Sequence, residues 1–228
     1  MFTRRFVTMA IRSVDDIPSL TQLYRDPESV LSAAIPKGKT SYPPDDHINR
    51  RIGLIRGDIT KLRLDAIVNA ANTSLRGGSG VDGAIHSAAG PQLVKESGPL
   101  GPIKTGEAVI TKGYNLPAKH VIHTAGPIYS TTADPNEKLA MCYRESLKLA
   151  VEHDVKTVAF SAISTGIYGF PNGPAAQIAC QTVREFLETE EGSKLSRVVF
   201  VTFVAPDVDA YNKTIPKIFP PANEKVTE

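Results

Sequence analysis

The sequence predicts an α/β domain in which a mostly parallel, mixed sheet is covered by helices on both faces. Segments of strand type alternate with segments of helix type from about residue 49 onward. Several of the strand segments are uniformly apolar, which is typical of strands buried on both faces, and "DAIVNAA" at 65–71 is the clearest. Two glycine-containing loops each lead into a helix, as in α/β proteins that bind ligands at the carboxyl ends of their strands.

Length and composition are those of one globular domain with an added N-terminal segment. The chain has 228 residues, of which 41% are hydrophobic and 22% charged. A net charge of +2 is too small to indicate a nucleic-acid partner, and no apolar run is long enough to span a membrane. Two cysteines, Cys142 and Cys180, supply neither a disulfide framework nor a set of zinc ligands. We therefore expect no nucleic acid, no membrane and no metal.

We expect three parts along the chain. Residues 1–48 should form a helical and irregular extension that packs on the main domain, with a Pro- and Gly-rich linker at 35–47. The main domain should span 49–220 and be followed by a short tail at 221–228. The first 13 residues contain three arginines and no acid, which is the composition of a transit peptide. The alternative is a frayed or surface-docked N-terminus. We expect an intracellular protein of the cytoplasm or nucleus, with the mitochondrion as an alternative.

Two short helices are predicted in the extension. Ser13 or Asp15 could cap a helix that ends near Leu23. The second helix should span 26–34, because Asp26 can cap it and a proline and an acid follow in the first turn.

Six apolar segments of strand length are predicted to build the sheet. They lie at 51–57, 65–71, 106–114, 119–126, 156–163 and 196–204. The third and fourth lie on the two sides of a turn at Pro117.

Four helices are predicted in the main domain. The first begins at Asp82, and the other three span 134–154, 173–190 and 206–215. The second has the clearest start, because Asp134 can cap it, Pro135 suits the first helical position and Glu137 the third. Pro174 lies near the start of the third.

Unusual polar residues follow three of the predicted strands. Asp58 follows the first, Asn69 and Asn72 end the second, and residues 164–166 follow the fifth. Because ligands bind at the carboxyl ends of strands in such sheets, we expect these residues to share a site.

Both glycine-containing loops have the character of anion sites. The run at 77–80 precedes the helix at Asp82, and residues 164–173 precede another helix. Backbone N–H groups at a helix N-terminus favour phosphate, and glycine lets the backbone approach it closely. Two facing loops suit a diphosphate better than a single phosphate.

The ordered motifs resemble a macrodomain, specifically of the MacroD type. They run from about residue 52 to about residue 211: "GDIT" at 57–60, "DAIVNAAN" at 65–72, "GGSGVDGAIHSAAG" at 77–90, "KTGEAVIT" at 104–111, "VIHTAGP" at 121–127 and "ISTGIYGFP" at 163–171. The resemblance implies a three-layer α-β-α fold with a mostly parallel mixed sheet. It also implies a metal-independent hydrolase that binds ADP-ribose, removes mono-ADP-ribose from acidic protein side chains and deacetylates O-acetyl-ADP-ribose.

The partners implied are therefore ADP-ribose, mono-ADP-ribosylated proteins and O-acetyl-ADP-ribose, with no cofactor beyond the ligand itself. We expect the protein to act as a monomer. A zinc-dependent branch of the family exists, but the histidines and the two cysteines of this chain form no recognisable ligand set. The alternative function is a reader module that binds ADP-ribose without cutting it.

The resemblance assigns the adenine end to Asp58, and Phe203 at the end of the last strand is a further candidate. Asp58 would accept a hydrogen bond from the adenine amino group, and its alternative role is a cap for the residues that follow. Phe203 would stack on adenine or belong to the core.

The chemistry is assigned to Asp82 and Asn72. By resemblance both lie beside the distal ribose, where they would hold the attacking water, with Asp82 able to act as a base. An acid at a helix start is also a common N-cap. Asn69 is expected to be structural. His86 and His123 are expected to be core histidines, and the alternative for His86, which follows Asp82 by four residues, is a dyad with that acid.

The first glycine loop should line the distal ribose and the diphosphate through its backbone. Its residues are Gly77, Gly78, Ser79 and Gly80. Ser79 departs from the usual glycine, and the cost is small unless the position needs a positive φ. Arg76 departs from a usual apolar residue and could add charge at the entrance.

The second loop should hold the diphosphate through Ser164, Thr165, Gly166 and Ile167, with a hydroxyl assisting. Tyr168 resembles the aromatic residue that packs on the distal ribose, and Gly169 shapes the loop. The resemblance also assigns ligand contacts to Ile59, Ala71 and Val81.

Overall fold

A six-stranded mixed sheet forms the centre of the structure, a computed structural model that describes residues 10–36, 38 and 40–222. Its strands are β2 (Ile52–Arg56), β4 (Ala66–Ala71), β5 (Ala108–Lys112), β6 (His120–Ala125), β7 (Thr157–Phe160) and β8 (Arg197–Thr202), and the two-residue strands β1 (Arg12–Ser13) and β3 (Leu62–Arg63) pair separately. The order across the sheet is β2-β8-β7-β4-β6-β5, and every neighbouring pair is parallel except β5 with β6.

Helices lie on both faces of this sheet. They are α1 (Leu20–Arg25), α2 (Val30–Ala33), α3 (Asp46–Arg51), α4 (Gly80–Ala89), α5 (Pro91–Ser97), α6 (Pro135–Glu152), α7 (Asn172–Leu187) and α8 (Ala205–Ile218). Within the described ranges, no helix is long and apolar enough to cross a membrane.

Two apolar layers separate the helices from the sheet, as the buried strands predicted. On β4, Val68 packs in one layer with Leu147 of α6 and other residues of α7 and α8. Its neighbour Ile67 packs in the opposite layer with Ile85 of α4 and Leu93 of α5. Successive side chains of a strand point to opposite faces, so both layers draw on the same strands. The three-layer α/β prediction is confirmed.

The main differences from the predicted elements lie at helix starts. α4 begins at Gly80, two residues before the expected Asp82. Asp134 holds the predicted N-cap position of α6 and Pro135 begins the helix, but Asp134 adopts φ 50° and its side chain makes no capping hydrogen bond. α5 was not predicted; Gly90, with φ 81°, ends α4 and turns the chain directly into it.

The extension is helical, and Ser13 holds the N-cap position of a short 3-10 helix at Val14–Asp16. This helix does not continue to Leu23. Ser19, not Ser13 or Asp15, accepts a hydrogen bond from the Gln22 N–H and begins α1. Ser29 begins the four-residue α2, whereas Asp26 only accepts from the Glu28 N–H in the turn before it. Asp45 caps the unpredicted α3, within residues that were expected to be linker.

Side chains of the extension reach the core and the C-terminal end of α8. Leu20, Leu31 and Ile48 belong to the layer that also contains α6 and α7. The Tyr24 hydroxyl donates to the Phe219 carbonyl over 2.7 Å, and Asn49 Nδ2 donates to the Pro220 carbonyl over 2.9 Å. Residues 1–9, which carry most of the predicted transit-peptide segment, and residues 223–228 of the predicted tail lie outside the described residues.

Replacing Ser19 with alanine should lower the free energy of unfolding by about 1 kcal/mol, because the Ser19 hydroxyl no longer accepts from the Gln22 N–H or donates to Gln22 Oε1. Urea denaturation measures the change. Asp15→Ala is the control, since Asp15 is exposed and should change the value by less than about 0.5 kcal/mol. Equal effects of the two substitutions would contradict the assignment of the cap to Ser19.

Candidate functional site

Four segments meet at the carboxyl edge of the sheet. Because β2, β8, β7 and β4 are consecutive neighbours, the residues that follow them lie side by side. Asp58 follows β2, Phe203 follows β8, the 161–171 loop follows β7 and the 72–79 loop follows β4. The topology therefore brings together the segments that carry the candidate residues, at the edge where such sheets bind ligands.

The 72–79 loop combines left-handed glycines with one extended serine. Gly77 has φ 81° and Gly80 has φ 62°, a region that costs little only for glycine. Ser79 lies between them at the N-cap of α4 with φ −110°, where a side chain is tolerated. Serine in place of the usual glycine therefore causes no backbone strain at this position. The cost of the substitution is small, as expected where φ is not positive.

The Asn72 side chain makes hydrogen bonds within this loop. Its Oδ1 accepts from the Ser74 N–H and hydroxyl, over 3.0 and 2.6 Å. Its Nδ2 donates to the Gly77 carbonyl over 2.8 Å and lies 3.5 Å from Asp82 Oδ2. The amide thus lies beside the carboxylate that was predicted to be catalytic, and both of its ends bond within the loop.

Asp82 is buried beneath the glycine loop, with 4% of its surface exposed. Its Oδ1 accepts from Asn69 Nδ2 over 2.7 Å and lies 3.4 Å from His86 Nε2. A methyl group on Gly78 would lie 3.0 Å from Oδ2. A side chain at position 78 would therefore press against this oxygen.

The environment of Asp82 favours a basic carboxylate. Burial raises its pKa, and the hydrogen bond from Asn69 and the nearby His86 oppose the shift without cancelling it. Asp82 is the third residue of α4, and Ser79 holds the N-cap position. The alternative interpretation of Asp82 as the helix cap is therefore wrong.

The polar residues behind Asp82 form a buried cluster that the sequence analysis treated as structural. Asn69 Nδ2 also lies 3.1 Å from His123 Nδ1, and His123 Nε2 lies 3.0 Å from Thr111 Oγ1. Burial lowers the pKa of His123 to about 3, with the nearby His86 contributing. His86 itself lies against Asp82 rather than in a purely apolar core. Thr111 was not singled out, because nothing in the sequence near it marks its contact with His123.

The 161–171 loop is held from both ends. Ser164 adopts φ 66°, and its carbonyl accepts from the Phe170 N–H over 2.9 Å. The Gly166 carbonyl accepts from the Gly169 N–H over 3.0 Å. Tyr129 donates its backbone N–H to the Tyr168 carbonyl over 2.9 Å, so the segment after β6 supports the loop.

Asp207 is a residue of this region that sequence reasoning missed. It is buried, and its Oδ1 accepts from Thr165 Oγ1 over 3.0 Å and from Asn172 Nδ2 over 2.6 Å. The Thr165 hydroxyl therefore donates its hydrogen to Asp207, and its oxygen can act toward other groups only as an acceptor. The Ser164 hydroxyl is buried without a hydrogen-bond partner within the described residues. The signal for Asp207 was an acid in the first turn of α8.

Tyr168 is half-buried in the 161–171 loop. Burial raises the pKa of its hydroxyl, and the charge of Asp82 contributes to the shift. Gly166 and Gly169 are exposed, and Ile167 is 80% exposed. These residues form the exposed surface of the 161–171 loop.

At the β2 end, Asp58 and Phe203 follow neighbouring strands. Asp58 Oδ1 accepts from the Thr60 N–H and hydroxyl, over 2.9 and 2.7 Å, so the capping role is present. Phe203 is 66% exposed and does not belong to the core, which removes that alternative. An exposed ring beside a carboxylate is able to receive a flat heteroaromatic group that carries an amine.

The remaining predicted contact residues differ in exposure. Ile59 and Ala71 are buried in the core, so a ligand can reach only their backbone. Val81 is half-buried in the layer beneath α4. Arg76 is exposed, beside Gly98. Among the described residues, no three His, Cys, Asp or Glu side chains form a group that could hold a metal ion.

The chain is similar to known proteins of one family. A family profile described as macro domain matches residues 68–179. The chain is 56% identical over 168 residues to a macro domain-containing protein of Chlorobaculum tepidum, which covers 73% of this chain and 96% of that protein. It is 50% identical over 183 residues to the rat ADP-ribose glycohydrolase MACROD1, which covers 79% of this chain and 70% of that protein.

The MACROD2 relative extends beyond the matched region. The Xenopus laevis ADP-ribose glycohydrolase MACROD2 is 47% identical over 210 residues, which is 91% of this chain and 49% of that protein. The chain therefore spans about half the length of that relative.

Solved structures show the same architecture. The Trypanosoma brucei macrodomain in complex with ADP-ribose matches with a TM-score of 0.73 and 37% identity, covering 90% of this chain and 77% of the other. The macro domain of ganglioside induced differentiation associated protein 2 matches with a TM-score of 0.81 and 33% identity, covering 93% and 98%. With its fold, its two loops and these relatives, the chain belongs to the macro domain family.

Proposed function

We propose that this protein is an ADP-ribose-binding hydrolase. The observation that carries the proposal is the buried Asp82 carboxylate, whose pKa is raised and whose Oδ2 lies close to Gly78 of the glycine loop. The relatives named ADP-ribose glycohydrolases and the macrodomain solved with ADP-ribose support the same conclusion.

The substrates that we propose are mono-ADP-ribose esters of glutamate and aspartate side chains, and O-acetyl-ADP-ribose. Adenine would contact Asp58 and Phe203, and the diphosphate would lie between the 72–79 and 161–171 loops. The distal ribose would then lie near Asp82, Asn72 and Tyr168. Backbone N–H groups at the start of α4 suit the diphosphate charge, because they need no reorganisation when the ligand arrives.

In the proposed reaction, a water molecule held by Asp82 and Asn72 attacks either C1″ of the ADP-ribosyl ester or the acyl carbonyl. Attack at C1″ breaks the C1″–O bond, and the protein carboxylate leaves. Attack at the acyl carbonyl breaks the acyl C–O bond instead, and the ribose oxygen leaves and takes up the proton that the water loses. The water proton passes to Asp82 or to a phosphate oxygen of the substrate. No step requires a metal ion. A raised pKa makes Asp82 a stronger base than an exposed aspartate, provided that it is ionised at the working pH.

The alternative is a reader module, which would use the same loops without hydrolysis. Incubation of a glutamate-mono-ADP-ribosylated protein with this protein and a metal chelator separates the two functions. We expect free ADP-ribose as the product. ADP-ribose binding by calorimetry without any release would favour the reader.

Asp58→Asn should weaken ADP-ribose binding about tenfold without loss of stability. Asparagine can still accept the Thr60 bonds and caps as well as aspartate, but it presents an amide N–H where the adenine amine would donate. Calorimetry measures the affinity, and thermal unfolding verifies the fold. An unchanged affinity would remove Asp58 from the adenine site.

A further inference from the structure

The two acceptors around the Asn69 amide nitrogen determine its orientation. Asn69 is fully buried, and its Nδ2 lies 2.7 Å from Asp82 Oδ1 and 3.1 Å from His123 Nδ1. With the amide reversed, Oδ1 would face the carboxylate at that distance, acceptor against acceptor. In the observed orientation each of the two Nδ2 hydrogens has an acceptor, whereas Oδ1 has no partner within the described residues.

The orientation of Asn69 requires one tautomer of His123. If Nδ2 donates to His123 Nδ1, that ring nitrogen carries no hydrogen, and the hydrogen of the neutral ring lies on Nε2. Thr111 Oγ1, 3.0 Å from Nε2, is the acceptor for it. The Thr111 hydroxyl can in turn donate to the Lys112 carbonyl, 3.2 Å away. Each hydrogen bond in the series from Thr111 through His123 and Asn69 to Asp82 then joins one donor to one acceptor.

We propose that His123, held as its Nε2–H tautomer by Thr111, is a positioning residue that orients the Asn69 amide and through it the Asp82 carboxylate. The reaction in which this matters rests on the proposed hydrolase function, but the tautomer and the orientation do not. Thr111 and His123 are both buried and belong to neither of the two loops proposed to bind the ligand. Their effect should therefore appear in turnover and not in ligand affinity.

Thr111→Val tests the chain of bonds at its outer end, and Thr111→Ser is the matched control that keeps the hydroxyl. Valine leaves the Nε2–H without an acceptor, which favours the Nδ1–H tautomer. In that tautomer the Nδ1–H of His123 faces the Nδ2 hydrogens of Asn69, donor against donor. The amide should therefore turn until its Oδ1 faces His123. We expect kcat to fall about tenfold with Thr111→Val, because small displacements of a reacting group are costly. The ADP-ribose dissociation constant should stay within about twofold in both variants.

A second pair of variants tests the ring itself. Asparagine at position 123 can place its carbonyl oxygen near the former Nδ1 and accept from Asn69, whereas leucine cannot. We expect His123→Asn to retain about fivefold more turnover than His123→Leu. Equal losses in both, with Thr111→Val as active as Thr111→Ser, would overturn the positioning role.

Nuclear magnetic resonance of the ligand-free protein tests the tautomer directly. The nitrogen-15 shifts of His123 should show a protonated Nε2 and an unprotonated Nδ1 in the wild type and in Thr111→Ser. A protonated Nδ1 in the wild type would overturn the proposal even if the enzyme is active. An inactive wild type with the expected tautomer would instead refute the hydrolase function and leave the orientation supported.

The carbon-13 titration of the Asp82 carboxyl tests the last bond. The groups that face this carboxyl are His86 on α4, Asn69 on β4, Asn72 on the 72–79 loop and Tyr168 on the 161–171 loop, and the charge state of each is common to the two Thr111 variants. The Asn69 bond lowers the Asp82 pKa. The pKa should therefore be higher in Thr111→Val than in Thr111→Ser, and equal values would contradict the coupling.

Discussion

Replacing Asp82 with asparagine is expected to lower kcat about 100-fold and to leave the affinity for ADP-ribose within about threefold. Asparagine keeps the shape of the side chain, and its Oδ1 can still accept from Asn69 Nδ2. It cannot take a proton from water, and the loss of a general base costs about 10²–10⁴-fold. Steady-state kinetics and calorimetry on the same preparation measure the two effects.

The pH dependence provides a second readout for Asp82. A carboxylate that acts as a base must be ionised, so wild-type kcat should fall as the pH falls through the Asp82 pKa. Because burial raises this pKa, the fall should occur at a higher pH than for an exposed aspartate. The residual activity of Asp82→Asn should lack this limb. The same acid limb in the variant would show that another group is responsible.

Gly126→Ala should weaken ADP-ribose binding about 30-fold. A methyl group at this position would overlap Ser164 Oγ and lie 2.8 Å from Ile163 Cγ2. Overpacking of this kind costs about 2 kcal/mol. We expect the 161–171 loop to shift rather than the rest of the fold, and the same free energy then corresponds to about a 30-fold loss of affinity. The displaced segment includes Tyr168 and the backbone N–H groups predicted to bind the diphosphate. Calorimetry measures the change in affinity.

Ser164→Gly provides the control for this prediction. Alone it should not impair folding, because glycine adopts the φ of 66° at this position more readily than serine. Combined with Gly126→Ala, it removes the overlap with Ser164 and should restore part of the affinity. If Gly126→Ala bound ADP-ribose as tightly as the wild type, the 161–171 loop would not be part of the binding site.

The strands and the general position of the site could be predicted because their signals are local. The segment at 65–71 is apolar throughout, and β4 forms there at the centre of the sheet. The polar and glycine residues that follow the strands meet at one edge, because parallel strands align their carboxyl ends. In contrast, α5 follows from the left-handed Gly90, a backbone angle that the sequence does not reveal.

The supporting contacts of the site could not be predicted, because they join residues that are distant in the chain. Thr165 bonds to Asp207, which is 42 residues away, and Asn69 contacts His123, which is 54 residues away. Asp134 shows the opposite limit: its sequence context is that of a cap, yet its backbone is left-handed and its side chain makes no capping hydrogen bond. Local pattern indicates which residues are chemically able, and the fold decides which of them meet.

The most direct test of this account is the single-turnover release of ADP-ribose from a glutamate-mono-ADP-ribosylated protein, with a chelator present, by the wild type and by Asp82→Asn side by side. The account predicts rapid release by the wild type and release about 100-fold slower by the variant, although both bind ADP-ribose. Release at equal rates would contradict the role of Asp82. Binding by the wild type without release would contradict the hydrolase itself.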